Sequence, residues 1–378
     1  MTIREFAHSA QQHLQARTGS PFKRAHIYEL LAASFGFNSY AAISADAVFT
    51  RRPDGPRDFA SQLGAIRQRC IELGYQPATA DAATTDLAAL LSEHQIDVVS
   101  LPQLVAELLA DRSGHIWDDD DHEADDPHEP PKRILPDPFD DEEISPALLQ
   151  GLETAAEKGN GLAHYALALI YDRDQEDEGQ QAISPYWHSQ AQQGRVLTGV
   201  QIEWAEAYAK KRADSDKYAL HLRAAAGLGN RHALLDLADR FKDPSFFEKD
   251  SEGHVDDPAR VAEIAARLGR EKDARRWLAI AAEAGDIGAM RQLIDEYDHG
   301  NLQQCWTWLY LARLAGTDLT QAKHYAINED GSAYDDDVGG PAFVAGDDGV
   351  ELIALPPEQD AVAQAEAERL FSRYQQPR

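Results

Sequence analysis

Three histidines, His115, His122 and His128, stand in a stretch, 111–145, that carries fourteen acidic residues against three basic ones. Imidazole and carboxylate are ligands for divalent metals. A metal site, however, needs its ligands at spacings that a fixed backbone brings together. These spacings are irregular and the tract is proline-rich, so 113–146 reads as a solvated acidic linker. Further on, Asn328, Asp330, Gly331 and Asp337 partly echo a calcium loop. The first ligand position of such a loop would be Ala326, which has no side-chain oxygen, and the last would be Asp337, shorter than the usual glutamate. Asp335, Asp336 and Asp337 form a run of three acids whose mutual repulsion suits solvent, a turn or a cationic partner.

Nothing else in the chain carries a reaction. There is no phosphate-binding loop, dinucleotide fingerprint, nucleophile elbow or zinc-type cysteine pair. The two cysteines, Cys70 and Cys305, are far apart and read as buried small apolar residues. The expectation is a protein that is not an enzyme, with no cofactor and no metal.

The elements that must position any site follow a repeat. Around Gly159 the chain reads AAEKGNGLAHYALALIY, around Gly229 AAGLGNRHALLDLADRF, and around Gly285 AAEAGDIGAMRQLIDEY. Alanine falls four residues after each glycine (Ala163, Ala233, Ala289), leucine eight after (Leu167, Leu237, Leu293), and an aromatic twelve after (Tyr171, Phe241, Tyr297). Four-residue steps place these side chains on one helix face. Small residues precede each glycine, and a large one recurs seven or eight positions before it: Trp187, Leu222, Trp277 and Trp308. A helix that ends in small residues, a left-handed glycine and a second helix make one hairpin. Gly159, Gly194 and Gly229 are 35 residues apart, and Gly285 comes 56 after Gly229, so an insertion is expected, with 242–257 as its loop. Gly194 heads a weaker copy with Thr198, Ile202 and a late Tyr208, and Gly316 a terminal one.

This pattern resembles the Sel-one-like repeat family, relatives of tetratricopeptide repeats, over about 147–323. The resemblance implies an α-solenoid that holds protein or peptide partners, and implies no chemistry. The expected fold is mostly α: an all-helical N-terminal domain (1–112), the linker (113–146), the solenoid (147–323), an acidic β-hairpin segment (324–355) and a capping helix (356–378). In the first domain, helices are expected over 2–16, 22–35, from Ser39 to about Val48, and over 57–74, 79–94 and 101–111. The stretch HIYELLAASFGFNSYAAI is similar to a small helical module at the start of various bacterial proteins. Asp330-Gly331 and Asp348-Gly349 are hairpin-turn signals. In the linker, Ile134, Leu135 and Phe139 are candidates for docking on the repeats.

The formal net charge is −29. Such a field attracts a cationic partner and repels nucleic acid and anionic membrane. Only 1–75, with nine basic residues against six acidic, has the sign for nucleic acid, and its helix–glycine–helix outline leaves a DNA-binding headpiece as the alternative reading. The N-terminus has no apolar signal core, and no apolar run reaches the roughly 18 residues of a membrane span, so a cytoplasmic setting is expected.

The repeat residues themselves are expected to be core, with Tyr171 or Tyr297 to alanine costing about 3–5 kcal/mol. Partner contacts are therefore expected from aromatics outside the repeat pattern, Tyr186, Trp204, Trp306 and Tyr310. Polar residues on the hairpins, His164, Arg231, His232 and Arg291, are expected on a concave face, with Asp335–Asp337 as an acidic contact. The functional expectation is an interaction scaffold for a basic protein, as an adaptor, inhibitor or immunity-type protein.

Overall fold

A computed structural model describes residues 1–51, 59–112, 144–173, 185–249, 257–328, 334 and 343–374. It divides into two compact units, Met1–Leu237 and Ala238–Arg378. Both are mainly helical, and each contains one two-stranded antiparallel sheet.

The first unit opens with α1 (Ile3–Thr18), α2 (Arg24–Ser34) and α3 (Tyr40–Asp46). Thr2 and Glu5 form a capping box on α1, and the Ser39 hydroxyl accepts from the Ala42 amide at the start of α3. Strand β1 (Ala47–Arg51) follows, then α4 (Leu63–Glu72), α5 (Pro77–Glu93), β2 (Ile96–Ser100) and α6 (Leu101–Arg112). Phe6, Leu14, Ile27, Leu30, Leu31, Ile66, Leu87 and Leu91 form one core between these helices.

The strands correct the all-helical reading of 1–112. β1 pairs with β2 in antiparallel register, Phe49 opposite Val98. The expected helix from Ser39 therefore stops at Asp46. Val48, Phe49, Thr50, Val98 and Val99 are β-branched or aromatic, and their runs are too short to propagate a helix but long enough for a ladder.

After 113–143 the unit continues with α7 (Pro146–Glu157), α8 (Gly161–Arg173), α9 (Pro185–Gln192), α10 (Val200–Gly227) and the first part of α11 (Arg231–Phe241), which runs on into the second unit. β1 packs on α7, where a Cβ on Gly151 would lie 3.1 Å from the Val48 Cβ. The expected turns occur: Gly159, Gly194, Gly229, Gly285 and Gly316 have φ of +84°, +83°, +87°, +99° and +95°. At Gly159 and Gly229 the amide just before the next helix bonds back into the preceding one, Asn160 N to Ala155 O and Asn230 N to Ala225 O. The Asn160 and Asn230 side chains then accept from Ala163 and Ala233 amides.

Two repeat expectations are corrected here. Between Gly194 and Gly229 no break between helices exists, because α10 runs unbroken for 28 residues. The segment 200–226 holds no glycine or proline and is rich in alanine, lysine and glutamate, so nothing in it stops a helix. The alanines and leucines of the pattern are buried at Ala163, Leu167, Ala233, Leu237, Ala289 and Leu293, but the aromatics are not: Tyr171 and Tyr297 are half-buried and Phe241 is 41% exposed. Twelve residues past the glycine the helix is at its end, and the side chain sits on the rim of the packing.

The second unit contains α12 (Ser245–Glu248), α13 (Pro258–Arg267), α14 (Glu271–Glu283), α15 (Ile287–Gln292), a π-helical turn (Leu293–Tyr297) and α16 (Leu302–Leu314). The region between Gly229 and Gly285 thus holds a whole further helix, α13, which ends on Ala265-Ala266 and a left-handed Gly269. Strands β3 (Lys323–Ile327) and β4 (Phe343–Asp347) pair antiparallel as the expected hairpin. Asp330-Gly331 lies outside the described residues. Asp348-Gly349 is not followed by a strand; the chain returns to the end of the repeat region through Val350 N to Leu319 O, 2.8 Å. Helix α17 (Pro357–Tyr374) packs on α16.

Candidate functional site

The polar centres of the molecule are buried carboxylates closed by arginine. In the first unit the last residue of α6, Arg112, reaches two aspartates of the helical hairpins. Its Nη1 is 2.9 Å from Asp236 Oδ2 on α11 and its Nε 3.9 Å from Asp172 Oδ2 on α8. The Tyr165 hydroxyl donates to the same Asp236 oxygen at 2.9 Å. Burial, with the neighbouring Asp236, holds the Tyr165 phenol well above its ordinary range. Burial works against the Arg112 charge, but Asp236 outweighs it and keeps the guanidinium protonated beyond its usual range. In the second unit Asp298 accepts from Arg275 Nε at 2.6 Å and from the Trp308 indole at 2.9 Å, and its carbonyl accepts from the Cys305 thiol at 3.1 Å.

These groups hold helices together and present no nucleophile. Burial pushes the Cys70 thiol up to about 11 and raises that of Cys305 as well. Sequence reasoning missed these aspartates, although a signal was present. Asp172 and Asp298 each follow the pattern aromatic, thirteen residues after Gly159 and Gly285.

A second polar contact joins α8 to α10. His164 Nδ1 lies 3.0 Å from His221 Nδ1, and Tyr171 stacks on the His221 ring at 5.9 Å. Burial lowers both histidine pKa values, and His164 and Lys217 lower that of His221 further. Among the described residues no group of three or more His, Cys, Asp or Glu is placed to hold a metal ion.

The remaining expected contact residues are scattered. Trp306 donates its indole N–H to the Ile353 carbonyl at 2.9 Å, and the Tyr310 hydroxyl meets Asp360 Oδ1 at 2.5 Å, so both fasten the C-terminal segment to α16. Arg291 bonds the Asp348 carbonyl and pairs with Asp295 at 3.5 Å and Asp347 at 3.6 Å, tying α15 to the end of β4. His164 is engaged with His221. His232 is exposed and stacks on Tyr165 at 5.9 Å, and Arg231 beside it is half-buried. Asp335, Asp336, Asp337, His115, His122, His128, Ile134, Leu135 and Phe139 lie outside the described residues. In 1–75, Arg17 pairs with Asp86, Arg67 with Asp81 and Arg69 with Glu72, and Arg24 bonds Gln11 and His8.

Tyr186 and Trp204 lie close in sequence, at the two ends of a stretch with further exposed apolar residues. Tyr186 is 50% exposed and packs edge-on against Trp187 at 4.9 Å. Val196 (86%), Val200 (48%), Ile202 (42%) and Trp204 (41%) complete a run of five exposed large apolar side chains between 186 and 204. Helix α9 buries none of its residues. The weak repeat copy at Gly194 has therefore placed its apolar positions on the surface rather than in a core.

Among the described residues no helix is long and apolar enough to cross a membrane. The chain matches no protein-family model, no curated protein and no solved structure.

Proposed function

We propose that this protein is an interaction scaffold, not an enzyme, and that it holds a partner protein through the surface formed by α9 and the first half of α10. The observation that carries this reading is the run Tyr186, Val196, Val200, Ile202 and Trp204, five exposed large apolar side chains within nineteen residues, where the other helices expose such side chains singly. Contiguous exposed apolar surface with aromatics marks an interaction site. The helix–glycine–helix pairs at Gly159, Gly229 and Gly285, with Ala and Leu turned inward, support reading them as Sel-one-like units of an α-solenoid, and the scaffold role follows from that architecture. The net charge of −29 supports a partner that is basic overall, met in the cytoplasm, as for an adaptor or an inhibitor of a cationic protein.

The test is co-purification of partners from the source cells with full-length wild type, Trp204→Ala and Val200→Asp, at low and high salt. Specific proteins retained by wild type, released by either substitution and weakened by salt are expected. Identical recoveries from all three proteins would sink the reading.

A further inference from the structure

Helix α10 is buried over only part of its length. Asp214, Tyr218, Leu222 and Ala225 lie on one stripe at intervals of four, four and three, and all are buried where α10 packs on α8. The same stripe continues towards the N-terminus at the same spacing through Lys211, Ala207, Trp204 and Val200. There Trp204 and Val200 are exposed, and Ala207 and Lys211 are only half-buried. At 1.5 Å per residue α10 is about 42 Å long and the 13-residue α8 only about 20 Å. A length of stripe close to that of a second α8 is thus left uncovered by the described residues. Along one side it is bounded by α9, through the His188–Tyr208 ring contact at 5.3 Å.

The segment that carries this groove, 185–213, is opposite in sign to the molecule as a whole. Between 185 and 213 the chain has four basic residues, Arg195, Lys210, Lys211 and Arg212, against two acidic ones, Glu203 and Glu206. On the α9 side, Arg195 lies over the Trp187 ring at 5.4 Å.

We infer that this groove receives one amphipathic helix of a partner protein, three to four turns long, apolar on one face and flanked by acidic residues. Helix-in-groove docking takes its energy from apolar anchors at helical spacing and its orientation from flanking charge. The occupant would lie on Val200, Trp204 and Ala207 as α8 lies on Tyr218 and Leu222, with its carboxylates meeting Lys211 and Arg212. This rests on the scaffold reading and specifies the contact. The far field of the chain draws cationic surfaces, while the groove itself selects acids.

The probe is a designed helix of about fourteen residues with leucine and alanine on one face and glutamate on either side, compared with a twin carrying lysine at the same flanking positions. Binding is read by fluorescence anisotropy of labelled peptide with the full chain. The glutamate helix is expected to bind at least tenfold tighter than its twin. Trp204→Ala and Val200→Asp should each weaken it at least tenfold, and Lys211→Glu with Arg212→Glu should reverse the preference. Equal binding of the twins, or binding indifferent to Trp204 and Val200, overturns the proposal. So does wild-type self-association in sedimentation that Val200→Asp abolishes, which assigns the groove to a second copy. A tenfold gain in peptide affinity on deleting 113–143 overturns it too, because the chain's own acidic segment is then the occupant. If source-cell partners are held equally well by Trp204→Ala, the groove fails and the scaffold reading survives. If no specific partner is recovered at all, the scaffold reading itself fails.

Discussion

Arg112 is the last residue of α6, and its side chain closes on carboxylates from two other helices. The guanidinium is 16% exposed, and the Asp172 and Asp236 side chains 4% and 5%. Replacing Arg112 by methionine keeps the apolar stem and removes the charge, leaving two aspartates in a low-dielectric interior. Breaking a buried ion pair from one side costs about 3–5 kcal/mol, because the remaining charge is uncompensated. Tyr165 still donates to Asp236, so the lower end, about 3 kcal/mol, is expected for Arg112→Met. For a unit of this size that corresponds to a fall in melting temperature of roughly 6–12 °C. Thermal and urea unfolding of wild type and variant measure it. Arg17→Met, which opens the pair with Asp86 where the arginine is 67% exposed, serves as control and should cost less than about 1 kcal/mol. The pH dependence supplies a signature. In Arg112→Met the stranded carboxylates have a raised folded-state pKa, so the folded state binds protons more readily than the unfolded one. The deficit against wild type should therefore shrink as pH falls from 7 towards 4. A variant within about 0.5 kcal/mol of wild type, with no such recovery in acid, would refute the assignment of Arg112 as the tie between α6 and the hairpins.

Other outcomes follow from single contacts. Burial lowers the folded-state pKa of His164 and His221, so the unfolded chain takes up protons first. Stability is then lost as pH falls below the ordinary histidine value of about 6.5, and the melting temperature of His164→Gln/His221→Gln should depend less on pH between 7 and 5 than that of wild type. Gly151→Leu places a side chain against Val48 and should cost about 1–3 kcal/mol in urea unfolding, by forcing β1 from α7. Tyr165→Ala, at a fully buried ring, should cost about 3–5 kcal/mol, whereas Phe241→Ala, at a rim position, should cost less than about 1 kcal/mol.

The helix–glycine–helix turns were readable because their signals are local. A left-handed glycine, the small residues before it, and alanine and leucine after it act within one turn of helix, and Gly159, Gly229 and Gly285 adopt the expected conformation. The final helix was equally legible from its Ala/Glu pattern and lies at Pro357–Tyr374. What escaped sequence reasoning depends on distant partners. Strands β1 and β2 are five residues each and nearly fifty apart in sequence, so neither run shows its pairing. The aspartates Asp172, Asp236 and Asp298 look like ordinary surface acids until an arginine from another helix arrives. Trp306 and Tyr310 bond Ile353 and Asp360, some fifty residues away in sequence, which no local pattern shows. After Gly194 the positions that hold alanine and leucine after Gly159 and Gly229 are Thr198 and Ile202, and both are exposed.

The central claim is that a partner lies on the stripe through Val200 and Trp204. A photo-crosslinking amino acid at position 204 of the full chain, activated in the source cells, tests it most directly, with position 362 on the exposed side of α17 as reference. One discrete heteromeric adduct from position 204, absent from position 362, is predicted. Equal yields at the two positions, or no adduct at 204, would contradict it.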